Sequence, residues 1–242
     1  MIFDWLKSFY NRIYRFNQYN RDLWVKRHAA TIPHQVNVLD VGAGTGRYRN
    51  YFSHCNYNAH DFGKTPKLKG KYTQLDYISD ITNIPVDSNT FEVIICTEVL
   101  EHIPEPIKAI NEFYRILKPQ GILFLTAPLN SRLHQEPYHF YGGFTAHWYH
   151  KFLPEIGFTI QSIEANQGFF SHFGQECLHF CSLINPFKNN QNLIIRLLIS
   201  PLWLVIMPLA ILFPLIGMIL DKFGIDSADT VGYFVVARKM AG

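Results

Sequence analysis

The spacing of apolar side chains changes along the chain, and each change marks an element. Ile2, Trp5, Leu6, Phe9, Ile13 and Phe16 recur at intervals of three and four, with Asp4, Lys7, Ser8, Asn11, Arg12 and Arg15 on the other face. This predicts an amphipathic helix over residues 1–28, stopped by Pro33. Strand and helix signals then alternate. Val36–Val41 reads as a short apolar strand running into glycines, followed by helix-compatible sequence to about Phe52. Tyr57–Asp61 and Tyr72–Asp76 read as weaker strands, and Phe91–Cys96 as a buried strand of β-branched residues. Pro106–Leu117 predicts a helix, since Ile107, Ile110, Phe113, Tyr114 and Leu117 share a face. The turn Lys118-Pro119-Gln120-Gly121 ends it and launches a strand over Ile122–Thr126. His147–Ile156 reads as helix, Phe158–Glu164 as extended, Gly168–Leu183 as helix and Thr230–Arg238 as a closing strand. Such alternation predicts an α/β fold with a doubly wound, mostly parallel sheet.

One stretch breaks the alternation. Leu193–Leu220 holds a single charge, Arg196, in a chain of 242 residues that is 48% hydrophobic and 17% charged, the latter below the usual quarter of a soluble protein. Disorder, collagen and a disulfide mini-scaffold are excluded by that composition, and a polytopic membrane protein by there being only one such run. As a continuous helix it would measure roughly 42 Å, enough to cross a bilayer. A single crossing would strand the last element of the sheet on the wrong side. An out-and-back hairpin within the run leaves only about 21 Å per leg against a hydrocarbon core of ~30 Å. Pro201, Pro208 and Pro214 fall at intervals suited to bends. The expectation is a hairpin or bent pair of helices lying in one leaflet, with a dimer interface or a buried cap as the other uses of so large an apolar surface.

Charge refines this picture. A formal net charge of +3 is too small to argue for nucleic acid. Residues 1–30 carry Lys7, Arg12, Arg15, Arg21, Lys26 and Arg27 against Asp4 and Asp22, so the surplus is concentrated at this end. Basic residues around Trp, Phe and Tyr suit a helix resting on anionic lipid, although the same helix could instead cover one face of the sheet. Four cysteines with no CxxC pair fit a reducing cytoplasm, and no signal peptide is read at the N-terminus. The expected location is the cytoplasmic face of a membrane.

The chemistry is concentrated in Val38-Leu39-Asp40-Val41-Gly42-Ala43-Gly44-Thr45-Gly46. Glycines after a strand let the backbone approach a ligand, and a helix N-terminus beyond them would offer free N–H groups. A dinucleotide fold expects G-x-G-x-x-G, whereas here the third glycine comes one residue early. Asp61 lies 21 residues after Asp40, at the end of the second strand, where a carboxylate can accept both hydroxyls of a ribose. With DITNIPVDSNTFEVI, CTEVLEHIPEP and LKPQGILFLTAP following in order, the chain resembles the class I S-adenosylmethionine-dependent methyltransferases, particularly their small-molecule "type 11" branch. The departures are Glu92, where aspartate is commoner, and a polar second strand.

The resemblance implies a Rossmann-like, seven-stranded methyltransferase sheet, and the apolar run adds to it a hydrophobic helical insertion before the last strand, where the family usually has a short hairpin. It divides the chain into an N-terminal helix, residues 1–30, and a catalytic domain, residues 31–242, interrupted by a membrane-contacting insertion at 186–224. The implied cofactor is S-adenosyl-L-methionine. Gly42, Gly44 and Gly46 would approach its methionine part, with Asp40 near its amino group. Asp61 would bind the ribose, Asp80 with the backbone of Ile81 the adenine edge, and Thr97 and Glu98 would sit below the sulfonium. His102 is the expected base for a hydroxyl acceptor, because histidine titrates near neutrality. Glu98, Glu101 and His102 at i, i+3 and i+4 could share a helical face and bind a divalent ion, as the same pattern does in related quinone O-methyltransferases, but no metal is assigned. The stretch RLHQEPYHFYGGFTAHWYH, with His134, His139, His147 and His150, would line the acceptor pocket, Tyr138, Tyr141 and Trp148 covering a substrate. The expected acceptor is small or amphiphilic: a lipid-linked sugar, a quinone precursor or a lipid headgroup. A soluble homodimer and a catalytically silent membrane-attached module are the alternatives.

Overall fold

The structure is a computed structural model that describes residues 2–65, 68–188, 192–224 and 228–241. Its strands are β1 (Asn37–Val41), β2 (Asn56–Asp61), β3 (Tyr77–Ile78), β4 (Phe91–Thr97), β5 (Leu117–Pro128), β6 (Phe158–Ala165) and β7 (Gly232–Lys239). Its helices are α1 (Ile2–Tyr14), α2 (Phe16–Ala29), α3 (Pro106–Ile116), α4 (Ala146–Ile156), α5 (Phe169–Leu183) and α6 (Leu193–Leu220). The seven strands form one sheet in the order β3-β2-β1-β4-β5-β7-β6, with β1 to β5 parallel to their neighbours and β7 antiparallel to β5. The order reverses beside β1, whose two neighbours are β2 and β4. The crevice past the carboxyl ends of those strands is where ligands bind in open α/β sheets.

Two compact units share the chain: Met1–Tyr19 with Ala165–Val231, and Asn20–Glu164 with Gly232–Gly242. In the second, apolar strands are buried on both faces. Val38, Ile95, Phe124 and Val236 pack with Trp24, Val25 and Phe52. The ring of Trp24 meets Phe124 edge-on at 5.8 Å and lies 5.3 Å from Phe234, so the C-terminal part of α2 covers one sheet face.

Local structure departs from the sequence reading in four places, besides the expected Lys118–Gly121 turn, whose residues lie within β5. The helix expected over residues 1–28 is two helices meeting at Arg15. Only α1 keeps the three-and-four apolar stripe, whereas α2 (FNQYNRDLWVKRHA) is mostly polar and buries a different face. No helix opens after the glycines of β1. Gly42, Gly44 and Gly46 all have left-handed φ, at 74°, 52° and 71°, which no right-handed helix propagates, and only a short 3₁₀ turn forms over Arg49–Phe52. The third strand is Tyr77–Ile78 rather than Tyr72–Asp76, pairing being anchored by Asp76, which exchanges bonds with Ala59 on β2.

The fourth departure concerns the apolar run, which is one helix of 28 residues and not a hairpin. It contains no polar pair from which to build a turn, and its three prolines interrupt hydrogen bonds without ending the helix. The partner leg is α5, antiparallel to it. Gly174 of α5 faces the backbone of Pro214, Gly217 of α6 faces the backbone of Phe170, and Trp203 Nε1 donates to Cys181 O at 3.0 Å. Asp221 closes the pair, its carboxylate accepting from the N–H groups of Gly168, Phe170 and Ser171 at 3.0–3.1 Å. A Cβ on Gly217 would lie 2.3 Å from Phe170 O, closer than any side chain tolerates. Gly217→Val is therefore expected to prise α5 from α6 at a cost of about 1–3 kcal/mol. Thermal melting followed by circular dichroism should show the loss, and an unchanged melting curve would rule out so close an approach.

Candidate active site

A cavity of about 460 Å³ opens at the switch point, walled by Gly42, Asp61, Asp80, Ile81, Glu98 and His102 together with aromatic residues. Its floor depends on a glycine. A Cβ on Gly42 would come within 2.4 Å of Val99 Cγ2, so only glycine lets the turn after β1 pack against the segment after β4. The Gly42 and Ala43 N–H groups both donate to His60 O at 2.9 Å. Asp61, at the end of β2 and buried, ties two loops: Oδ2 accepts from Gly44 N at 3.2 Å and Oδ1 from Gly63 N at 3.0 Å. Each carboxylate oxygen keeps acceptor capacity for a further donor. Asp80 stands on the rim, its Oδ1 accepting from Thr82 N at 2.8 Å and Thr82 Oγ1 at 2.7 Å. These bonds hold its pKa below the usual carboxylate range.

Four of the expected residues stand behind the wall. Asp40 points into the sheet, where Tyr57 donates to its carboxylate. Burial pushes its pKa up to about 6, partly opposed by that bond. Gly46 is turned toward Thr73, Gly44 toward Leu68, and Thr97 ends β4 beside the cavity without lining it.

Glu98 lies immediately past β4 with φ at 53°, a left-handed conformation that turns its side chain out of the strand's course. Its Oε1 accepts from Thr126 Oγ1 at 2.9 Å, and its Oε2 pairs with Arg21 at 2.9 Å. Arg21 is the ion-pair partner of Glu98 that motif reading missed. The signal was present: Arg21 occupies the same α2 stripe as the buried Trp24 and Val25, a cation at a core-facing position.

The carboxylates of Glu98 and Glu101 do not share a helical face, because Leu100–His102 is a 3₁₀ turn preceded by the left-handed Glu98. Instead, donor atoms of Glu101, His102 and His134 lie within 4.8 Å of one another, a set whose chemistry suits a divalent transition ion. Glu101 is buried and its Oε2 has no hydrogen-bond partner. Burial, then the charge of Glu98, raises its pKa. His102 Nδ1 donates to Tyr138 O at 2.5 Å, and its Nε2 lies 3.7 Å from Glu101 Oε1. The backbone N–H groups of Phe140 and Tyr141 donate to Glu101 O at 2.8 and 3.2 Å, and Tyr141 Oη–H donates to Pro104 O at 2.9 Å. The turn after β4 thus clamps the aromatic loop, and the Tyr138 ring meets Phe62 edge-on at 5.0 Å. Trp148 packs on Phe144 and Tyr149 instead of the cavity.

His102 is not poised near neutrality. Burial, reinforced by His134 and His139, lowers its pKa to about 4. A histidine neutral in the fold and protonated in the unfolded chain contributes stability above its unfolded pKa of about 6.5, lost as pH falls toward 4. The stability difference between wild type and His102→Asn should therefore shrink by up to about 3 kcal/mol over that window in denaturant titrations. A difference independent of pH would contradict the assignment.

Residues 11–177 match the family model described as a methyltransferase domain. The chain belongs to the methyltransferase-domain family. Its fold is that of the class I S-adenosylmethionine-dependent methyltransferases. An uncharacterized protein of Methanocaldococcus jannaschii is 34% identical over 88 residues, covering 36% of this chain and 39% of that protein. A ubiquinone biosynthesis O-methyltransferase of Vibrio cholerae is 30% identical over 99 residues, covering 37% and 40%. The chain thus spans about two fifths of the length of these curated relatives. A SAM dependent methyltransferase from Archaeoglobus fulgidus superposes with a TM-score of 0.56 at 15% identity, covering 96% of this chain and 98% of that one, a likeness of fold.

Proposed function

We propose that this methyltransferase-family chain transfers a methyl group from S-adenosylmethionine to an oxygen of a small or amphiphilic acceptor at a membrane surface. The observation that carries the reading is the meeting of Asp61, Asp80 and the Cβ-free Gly42 around one cavity. Asp61 has acceptor capacity to spare for ribose hydroxyls. Asp80 and the backbone of Ile81 offer the polar edge that an adenine needs, and Gly42 leaves room for the methionine part. Asp40, Gly44, Gly46 and Thr97 support that wall from behind.

The cofactor supplies an electrophilic methyl group when bound. The acceptor's oxygen would take that methyl group while the C–S electron pair stays on sulfur, and the hydroxyl proton would pass to solvent water. What the protein adds is alignment and exclusion of water. Neutral His102 accepts at Nε2 from the Gln135 side-chain amide at 3.2 Å, which fixes the rim where the hydroxyl would enter, and the clamped loop carrying Tyr138 and Phe140 covers the site. The oxygen acceptor is favoured by the similarity to ubiquinone biosynthesis O-methyltransferases.

The membrane half of the reading rests on the helices at 1–30 and within 186–224. Phe3, Trp5, Leu6, Phe9 and Tyr10 of α1 are exposed, with Lys7 and Arg12 flanking them. Leu193–Phe223 is long and apolar enough to cross a membrane, yet mostly exposed. The proposed location is the cytoplasmic face. Transfer of labelled methyl from cofactor into extracts split into aqueous and lipid fractions tests both halves. Label in the lipid fraction is expected. Label confined to the aqueous fraction would remove the amphiphilic acceptor, and no label with no calorimetric binding of cofactor would remove the enzyme.

A further inference from the structure

The exposed side chains of α6 are not scattered around it. At 100° per residue, every large apolar side chain that α6 exposes, from Leu193 to Ile219, falls within an arc of about 200°. The centre of that arc holds Ile194, Leu198, Val205 and Leu212. Its buried positions, Ala210, Pro214 and Gly217, lie on the opposite side, against α5. Arg196 belongs to that second side, and Ser200 stands at its border. One flat apolar face therefore runs the whole length of the helix, roughly 42 Å. A helix lying in the interface needs one apolar face along its whole length, with its polar groups on the other side.

Resting on the proposed membrane attachment, we infer that α6 lies in the plane of a phospholipid bilayer with a fixed roll, the Ile194–Leu198–Val205–Leu212 line deepest and Arg196 turned up to a lipid phosphate. The roll agrees with the other polar groups of the same unit. α5, which covers the upper side, carries His172, Gln175, Glu176 and His179, residues that belong at headgroup level and not in hydrocarbon. Arg196 Nε is buried without a hydrogen-bond partner in the first turns of the helix. Lys7 and Arg12 border the exposed apolar face of α1, which belongs to the same unit, and match anionic headgroups. Pairing α6 with α5 keeps both ends of the excursion on one side of the bilayer without a crossing.

The roll is read by single nitroxide labels in a Cys55→Ser/Cys177→Ser background, at Ile194, Leu198, Ser200, Leu204, Val205, Met207 and Leu212 in turn. The protein is bound to vesicles of equal parts phosphatidylcholine and phosphatidylglycerol, and depth is taken from relative accessibility to oxygen and a nickel chelate. Depth should oscillate with the helical repeat, Leu198, Val205 and Leu212 deep, Ser200 and Met207 shallow. Steady deepening from one end of α6 to the other would overturn the in-plane placement in favour of a crossing. Labels shielded from both reagents before vesicles are added would assign the face to a second copy of the chain. Flotation with vesicles but no depth at any α6 site would leave attachment to α1 alone and sink this inference while sparing membrane attachment. Loss of flotation altogether would sink both. Arg196→Gln should weaken binding to these vesicles about fivefold and leave binding to pure phosphatidylcholine unchanged. Equal weakening on both lipids would remove the phosphate contact.

Discussion

Replacing Asp61 by alanine should weaken binding of S-adenosylmethionine about a hundredfold while the chain stays folded. Two hydrogen bonds from ribose hydroxyls to a buried carboxylate contribute roughly 1.5–3 kcal/mol each. Losing both costs about 3 kcal/mol after partial compensation by water, and each 1.4 kcal/mol is a factor of ten. The substitution also removes the acceptors of Gly44 N–H and Gly63 N–H, so part of the loss comes from loosening the loops after β1 and β2. Asp61→Asn separates the two effects. It keeps one carbonyl acceptor for a loop amide and lacks the charge, so it should hold the loops better and still lose most of the affinity. Calorimetric titration with the cofactor and its demethylated product measures both variants, and near-ultraviolet circular dichroism checks packing. Unchanged affinity in both variants would refute the ribose role.

How much of this site the sequence carries depends on the distance over which each feature is determined. β1, β4, β5 and β7 are legible because burial on both faces leaves mostly apolar runs, such as Val93–Cys96 within FEVIICT. β3 is two residues long and is positioned by Asp76 gripping the edge of β2, so its own side chains hardly announce it. The glycine turn is legible as a turn. Which of its glycines meets the cavity is decided by Val99 and Thr73, packed there from far along the chain. The Glu98, Glu101 and His102 spacing presupposes an α-helix. A left-handed Glu98 and a 3₁₀ turn undo that premise, and His134 arrives beside His102 through a loop that no periodicity describes. The apolar run showed its material but not its partner. Gly174 and Gly217, which let α5 lie against α6, read in sequence as ordinary small residues.

Arg21→Met should raise the preference for S-adenosylmethionine over its demethylated product several-fold and lower the turnover rate. Arg21 and Glu98 form a pair whose side chains are 11% and 25% exposed, enough desolvation for removal of one partner to matter. Breaking such a pair is expected to cost about 2 kcal/mol of stability, below the 3–5 of a fully buried one. On the proposed reading, the cofactor would meet a charge-balanced pair when Arg21 is present. Without Arg21, a bare Glu98 carboxylate, held in place by Thr126, would face the sulfonium. The sulfonium is positive and the product neutral, so the unbalanced carboxylate favours the substrate-side cofactor. That positive charge fades as the methyl group departs, so the added attraction is stronger in the ground state than in the transition state and slows transfer. Glu98→Gln in the Arg21→Met background removes the unbalanced charge and should return the affinity ratio toward wild type, a rescue that simple loosening of α2 would not produce. Calorimetric titration of both ligands, with single-turnover methyl transfer, measures the two effects. An affinity ratio unmoved by Arg21→Met would place Glu98 out of reach of the sulfonium.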